Sequence, residues 1–515
     1  MAYGVGRTKK LESPFASIGN QVPIEKSMRA RKLGILILLT MLLLAAVVGL
    51  QGGLDFDITF RFDPVWIAAG ILFGMFAIFL SARHPAAFIA PMLFAPRVME
   101  LPVFSRFAET RNLTALAVTA GILGLAIFMR FLWLCKQPGA IWDLFRGGKR
   151  AIIAYLLFAA VIALSYLYTP APDSGGDKLL DFLVFGSLAF FAPFLLVRTE
   201  KDYRDFVIGT VIFSLAAAGY MLGASHQGRL AEHQHPQHIG VGQLVGWAIL
   251  LLLFHRITDR YLRAAALFVC IPCLAVGLAA AETRGPLLAL VLVLGLSMVF
   301  SRLKTSLISR RATVYVMLTV ALAVFVLSTF WFVGTVQHSF QKKTSEMVQL
   351  MQGSTEANGT ATKRLAFYKA ALHTIPDHPL LRWGVSGWSM YYFRTDDRRV
   401  FHYPHNLVLE VAVEQGIVGL VALLNLLGTA FIILKRDNDG VAGRFPSLLP
   451  ALIFLFLVTM FSGDIVEHRY LWFWCGMVFA CRRIALFEPN EEEAPLEEWV
   501  EGAGHEGPAP VLGEA

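Results

Sequence analysis

Apolar runs long enough to cross a bilayer recur along the whole chain, and they leave few architectures open. A spanning helix needs about 20 predominantly apolar residues. Runs of that order lie near 33–51, 64–81, 113–134, 151–169, 180–197, 206–223, 238–254, 264–281, 286–300, 313–333, 407–434, 447–462 and 471–485. A shorter one at 85–96 is interrupted by Pro85, Pro91 and Pro96. In hydrocarbon every backbone N–H and C=O needs a partner within the protein, so such repeated spans read as helices. Of the 515 residues, 56% are hydrophobic and only 16% charged, a balance foreign to a soluble chain of this length. The expected fold class is all-α: a polytopic membrane helical bundle of about 12–14 transmembrane helices with one large loop holding short helices.

Charge placement orients the bundle. Residues 1–32 carry Arg7, Lys9, Lys10, Lys26, Arg29, Arg31 and Lys32 ahead of the first apolar run, which reads as a retained signal anchor. With that terminus in the cytoplasm and the sides alternating, the cytoplasmic loops are "CKQPGAIWDLFRGGKR", "RTEKDYRD", "HRITDRYLR", "SRLKTSLISRR" and "KRDNDGVAGR", all rich in Lys and Arg. The opposite loops, such as "TPAPDSGGDK" and "QGGLDFDITFRFD", are acidic or nearly neutral. This is the positive-inside pattern, and its parity counts the run at 85–96 as a crossing. The chain divides accordingly into a basic cytoplasmic terminus (1–32), transmembrane helices (33–333), an outward loop (334–405), C-terminal transmembrane helices (406–487) and an acidic tail (488–515), expected to be disordered and cytoplasmic. Cys135, Cys270, Cys273, Cys475 and Cys481 all lie in or beside apolar runs, so no disulfide framework is expected; Cys270 and Cys273 have redox spacing but read as packing residues within a span. No cytoplasmic segment holds a Gly-rich phosphate loop, which argues against an ATP-driven pump.

Chemistry-bearing residues gather in the outward segments. In "YPHNLVLEVAVEQGIVGLVALL", His405 precedes Asn406, a good helix N-cap, so the imidazole sits at the outer membrane surface beside a first helical turn. Free N–H groups there favour anions and disfavour imidazolium, leaving a neutral histidine able to take a proton. Arg284, in "AAAETRGPLLALVLVL", stands in a tight outward turn, with Pro286 in the first turn of the next helix. A charge near hydrocarbon is costly and points to function, although pairing with Glu282 or snorkelling would also accommodate it. Within 361–374, Arg364 and Tyr368 are four apart and share a helix face. Guanidinium pairs with phosphate oxygens, and the nearby aromatic cluster around Trp388 suits sugar rings; an amphipathic helix lying on the membrane is the plain alternative. Weaker candidates are His233, His235 and His238, the pair Asp55 and Asp57, and the charged turn of Asp464, Glu467, His468 and Arg469, which could face the same cavity. No standard metal spacing is present among the histidines.

Three segments in order carry a resemblance to the bacterial O-antigen ligase and polysaccharide polymerase superfamily: "TRGPLLAL", "KRLAFYKAALHTIPDHPLLRWGVSGW" and "HYPHNLVLEVAVEQGIVGLVALL". The last is the most specific, with the family's His-Asn, Glu-x-Gly and Gly-Leu pattern; the likeness covers roughly 264–485. One departure is visible: where the family often has Gly-x-Gly, this chain has Gly384-Val385-Ser386-Gly387. The resemblance implies a glycosyl transfer that needs no metal or cofactor, at the periplasmic face of the bacterial inner membrane. Its donor would be a glycan on undecaprenyl diphosphate and its acceptor a sugar hydroxyl, with membrane lipids as surroundings and no nucleic acid. Carried over, His405 would be the general base, and Arg284 and Arg364 would clamp the diphosphate. Tyr368, Asn406, His402, Trp388 and Glu467 complete the expected substrate-binding set. The His-x-x-His-Asn form from His402 to Asn406 favours a ligase acting on lipid A–core. A polymerase, a protein O-oligosaccharyltransferase and a secondary transporter remain the alternatives. The clustering of charges at one outer edge speaks against alternating access.

Overall fold

A computed structural model describes residues 83–91, 93–94, 130, 132, 148–226, 237–281, 283–302, 360–375, 380–397, 402–435 and 440–487. The expected spans at 33–51, 64–81, 113–134 and 313–333 lie outside the described residues wholly or nearly so, as do Asp55, Asp57, His233, His235, Glu282 and both termini.

The described residues are all-helical, as the apolar runs require. In chain order they form α1 (Lys149–Ser165), α2 (Pro172–Asp181), α3 (Ser187–Leu196), α4 (Glu200–His226), α5 (Gln237–Phe254), α6 (Arg260–Ala265), α7 (Ile271–Ala280) and α8 (Arg284–Arg302). Then come α9 (Thr360–Thr374), α10 (Leu407–Glu414), α11 (Gly416–Lys435), α12 (Val441–Arg444), α13 (Leu448–Thr459) and α14 (Arg469–Phe487). Short π-helical turns join α2 to α3 and α6 to α7, so that Pro172–Leu196 and Arg260–Ala280 each run as one span. Six described helices are long and apolar enough to cross a membrane. Alongside them, α5, α8 and α13 are shorter apolar helices.

α14 is the hub. Its apolar window is 72% buried, against 28–44% for the other candidate spans, and it packs on α3, α11 and α13. Gly476 permits the close pass over α3, since a β-carbon there would stand 2.0 Å from the Phe190 carbonyl oxygen. The outer helices expose leucines such as Leu157, Leu164 and Leu424. In water such surfaces would drive aggregation, but against lipid tails they cost nothing.

Two expectations need correction. The run 407–434 is not one helix: it breaks at Gln415, where Gly416 takes a left-handed φ of 70° and starts a second helix. And "TPAPDSGGDK" is not a plain loop, because from Pro172 onward it forms the greater part of α2.

The described contacts between loops join segments assigned to the same side. At one end, the Thr169 hydroxyl donates to the Val385 carbonyl, and the Asp396 carboxylate accepts the Asp173 and Ser174 amides. Gly285 lies against Phe461, and Asn406 donates to the Met460 carbonyl. At the other end, Arg444 pairs with Glu200, Tyr203 bonds Ser447, and His84 bonds Asp205. Arg483 donates to the Phe194 and Val197 carbonyls at the C-terminus of α3, where a cation is favoured.

Candidate functional site

The site is built where α9, the start of α10 and the 460–468 turn meet. α9 packs on α10. Asn406 caps α10 as its sequence position suggests, its side-chain oxygen accepting the Leu409 amide at 3.0 Å. Its amide nitrogen donates to the Met460 carbonyl at 3.3 Å, tying the cap to the end of α13. The single hydroxyl proton of Tyr368 is shared between the carbonyls of His405 and Met460, at 3.3 and 3.2 Å. A face of α9 thus holds the histidine's own backbone.

His405 takes a φ of 60°, a left-handed conformation uncommon for any residue but glycine. Phe367 stacks beside its ring at 5.9 Å, and Tyr403 meets it edge-on at 4.4 Å. Its Nδ1 is buried with no hydrogen-bond partner. Burial, followed by the positive charge of Arg364, lowers its pKa to about 4, while Glu467 pulls the other way. The imidazole is therefore neutral at physiological pH. Arg364 lies close enough to act on both His405 and Tyr368, and its Nε is buried without a partner. Unspent donor capacity on a guanidinium beside a neutral histidine suits an anion.

Of the other expected residues, Arg284 is exposed at the first position of α8, beside Gly285, whose Cα faces Phe461. Its neighbour Gly285 thus meets the residue that follows Met460. His402 stacks on Phe393 at 4.0 Å and is held below the usual histidine pKa by burial. Trp388 is fully buried and backs an aromatic wall, on which the half-exposed Tyr392 stacks at 5.1 Å. The charged turn divides: Glu467 acts on His405, whereas Asp464 and His468 are 1% and 3% exposed and point into the protein.

Sequence reasoning missed the ionic cluster beneath the site. Lys178 of α2 is fully buried, its ammonium 2.6 Å from Glu410 Oε1 and 2.9 Å from Glu414 Oε1. Two carboxylates one helical turn apart within an apolar run, and a lysine at the start of another, were the available signal.

The departure at Ser386 also gains a meaning. Gly384 and Ser386 both have positive φ, 75° and 61°, so the chain keeps a glycine-type backbone with a serine at the third position. Among the described residues no group of three or more His, Cys, Asp or Glu side chains is arranged to hold a metal.

Fold and site together define a multi-pass membrane protein with a histidine–arginine mouth at one end of its bundle. Residues 265–424 match the family model described as O-antigen ligase, and over that segment the chain is similar to the O-antigen ligase-like superfamily. The matched segment includes Arg284, Arg364, Tyr368, His405 and Asn406 but neither Lys178 nor Glu467. Among curated proteins, none matches the chain.

Proposed function

We propose that the protein is a metal-independent glycosyltransferase of the ligase type. It would move a glycan from undecaprenyl diphosphate to a sugar hydroxyl, lipid A–core being the favoured acceptor, at the periplasmic face of the inner membrane. The observation that carries this reading is a neutral, partner-poor His405 beside Arg364. In the transfer, the anomeric carbon–oxygen bond to the diphosphate breaks and a bond to the acceptor oxygen forms. The hydroxyl proton passes to His405, and the bonding pair leaves with the diphosphate. Arg364 and Arg284 offset the charge that develops there.

The low resting pKa also has a use. A free imidazole near 4 is a weak base, but a bound diphosphate would cancel the field of Arg364 and stabilise imidazolium. Basicity would then rise only when donor is present.

His405→Ala should lower transfer about a hundredfold or more, with protein level and membrane insertion unchanged. The assay is glycan transfer from the lipid-linked donor in membranes, and near-normal transfer would falsify the base assignment. The acceptor is decided by deleting the gene and analysing lipid-linked glycan. Accumulated full-length polymer marks a ligase, and accumulated single repeat units mark a polymerase.

A further inference from the structure

The transfer reaction as described makes no use of the buried cluster under α10. Lys178, Glu410 and Glu414 are at most 1% exposed, and all three lie deep among apolar helices. Buried ion pairs of this kind are no better for stability than apolar residues of the same volume, because the desolvation of the charges offsets their attraction. What they supply is direction. Hydrophobic contacts let a helix slide or turn at little cost, whereas two carboxylates one turn apart that converge on one ammonium fix both the rotation and the height of the helix.

The segments fixed in this way are those that carry the site. Glu410 accepts the Ile465 amide at 3.2 Å, which ties α10 to the turn that bears Glu467. The Glu414 carboxylate accepts the Ser386 amide, and its carbonyl accepts the Gly384 amide at 2.8 Å, which ties α10 to the segment leading into Trp388 and Tyr392. His405 itself lies just before the α10 cap.

We propose that Lys178 is a positioning residue for the transfer reaction. Its ammonium, gripping Glu410 and Glu414, sets α10 against the 384–386 and 464–465 segments and so aims His405 at the reacting hydroxyl. This rests on the reading of His405 as the base. Misplacement of a reacting group by about 1 Å can cost on the order of a hundredfold in rate without weakening substrate binding.

Lys178→Met alone would strand the two carboxylates it grips, so the decisive variant is Lys178→Met/Glu410→Gln/Glu414→Gln, which removes those three charges and keeps the volumes; the buried Asp464, which also feels Lys178, keeps the Val466 and Glu467 amides as its own hydrogen-bond donors. In purified full-length protein assayed with lipid-linked glycan and acceptor, the triple variant should melt near the wild-type temperature. Its donor KM should stay within about twofold while kcat falls about tenfold or more. Adding His405→Ala to it should cost far less than the same change costs the wild type, because both losses pass through one group. His405→Ala in the wild-type background reports separately on the base. A triple variant with wild-type kcat overturns the proposal, as does one whose loss multiplies with that of His405→Ala. A triple variant that no longer folds makes the cluster a fold determinant and overturns it equally.

Discussion

His405 combines a left-handed backbone, which costs an L-residue about 1–2 kcal/mol, with a ring held neutral by burial and by Arg364. The pH dependence follows from the sign of that shift. The group falls from 6.5 to about 4, so on the proposed reading the base stays competent down to about that pH before donor binds. kcat/KM for the donor should therefore be flat from neutral pH to well below 6, where a solvated histidine would already be failing. The acid limb of kcat, which reports the complex, should lie at higher pH because the diphosphate favours imidazolium. Rate profiles measured at subsaturating and saturating donor check both statements, and coincident limbs near 6.5 would contradict them. Ser386 gives a stability counterpart. At φ 61° its β-carbon is a liability, and its buried hydroxyl has no partner. Ser386→Gly should raise stability by about 1 kcal/mol, read as a higher melting temperature in detergent.

At the scale of elements, the break between α10 and α11 depends on one glycine. Gly416 turns the chain at φ 70°, so that α10 stays with the site while α11 crosses alone. Gly416→Ala should lower stability by about 1 kcal/mol or more, visible in thermal unfolding, and a neutral result would mean that the turn tolerates a β-carbon. This break was not legible in the sequence, because a glycine inside an apolar run reads as an ordinary packing residue and the need for positive φ is set by tertiary contacts. The helix starts were legible, because caps are local: Asn406 and Pro286 act within one turn of their own position. The pairing of Arg364 with Tyr368 could be read from helical spacing for the same reason. Lys178 could not be placed, since its partner Glu414 lies 236 residues away and nothing local announces the contact. The burial of Trp388 was not legible either, because an aromatic residue near a polar motif looks the same in sequence whether it faces a ligand or supports a neighbour that does.

The molecule as a whole is sided. The bundle has two chemically different ends. The contacts of Arg444, Glu200 and Arg483 gather the loops that the Lys and Arg bias assigns to the cytoplasm, while those of Thr169, Asp396 and Asn406 gather the opposite set. Like-with-like pairing follows if each helix between 148 and 302 crosses once, as the alternation requires, and it would fail if a single run had been miscounted. A lipid-linked donor and a water-side acceptor can meet His405 only if its end faces outward. In a background without native cysteines, Arg394→Cys, exposed at the His405 end, should react with a membrane-impermeant maleimide before the inner membrane is breached. Thr258→Cys and Lys435→Cys, exposed at the other end, should react only afterwards. The reverse order would place His405 in the cytoplasm, where the extruded donor is absent, and the ligase reading would fall with it.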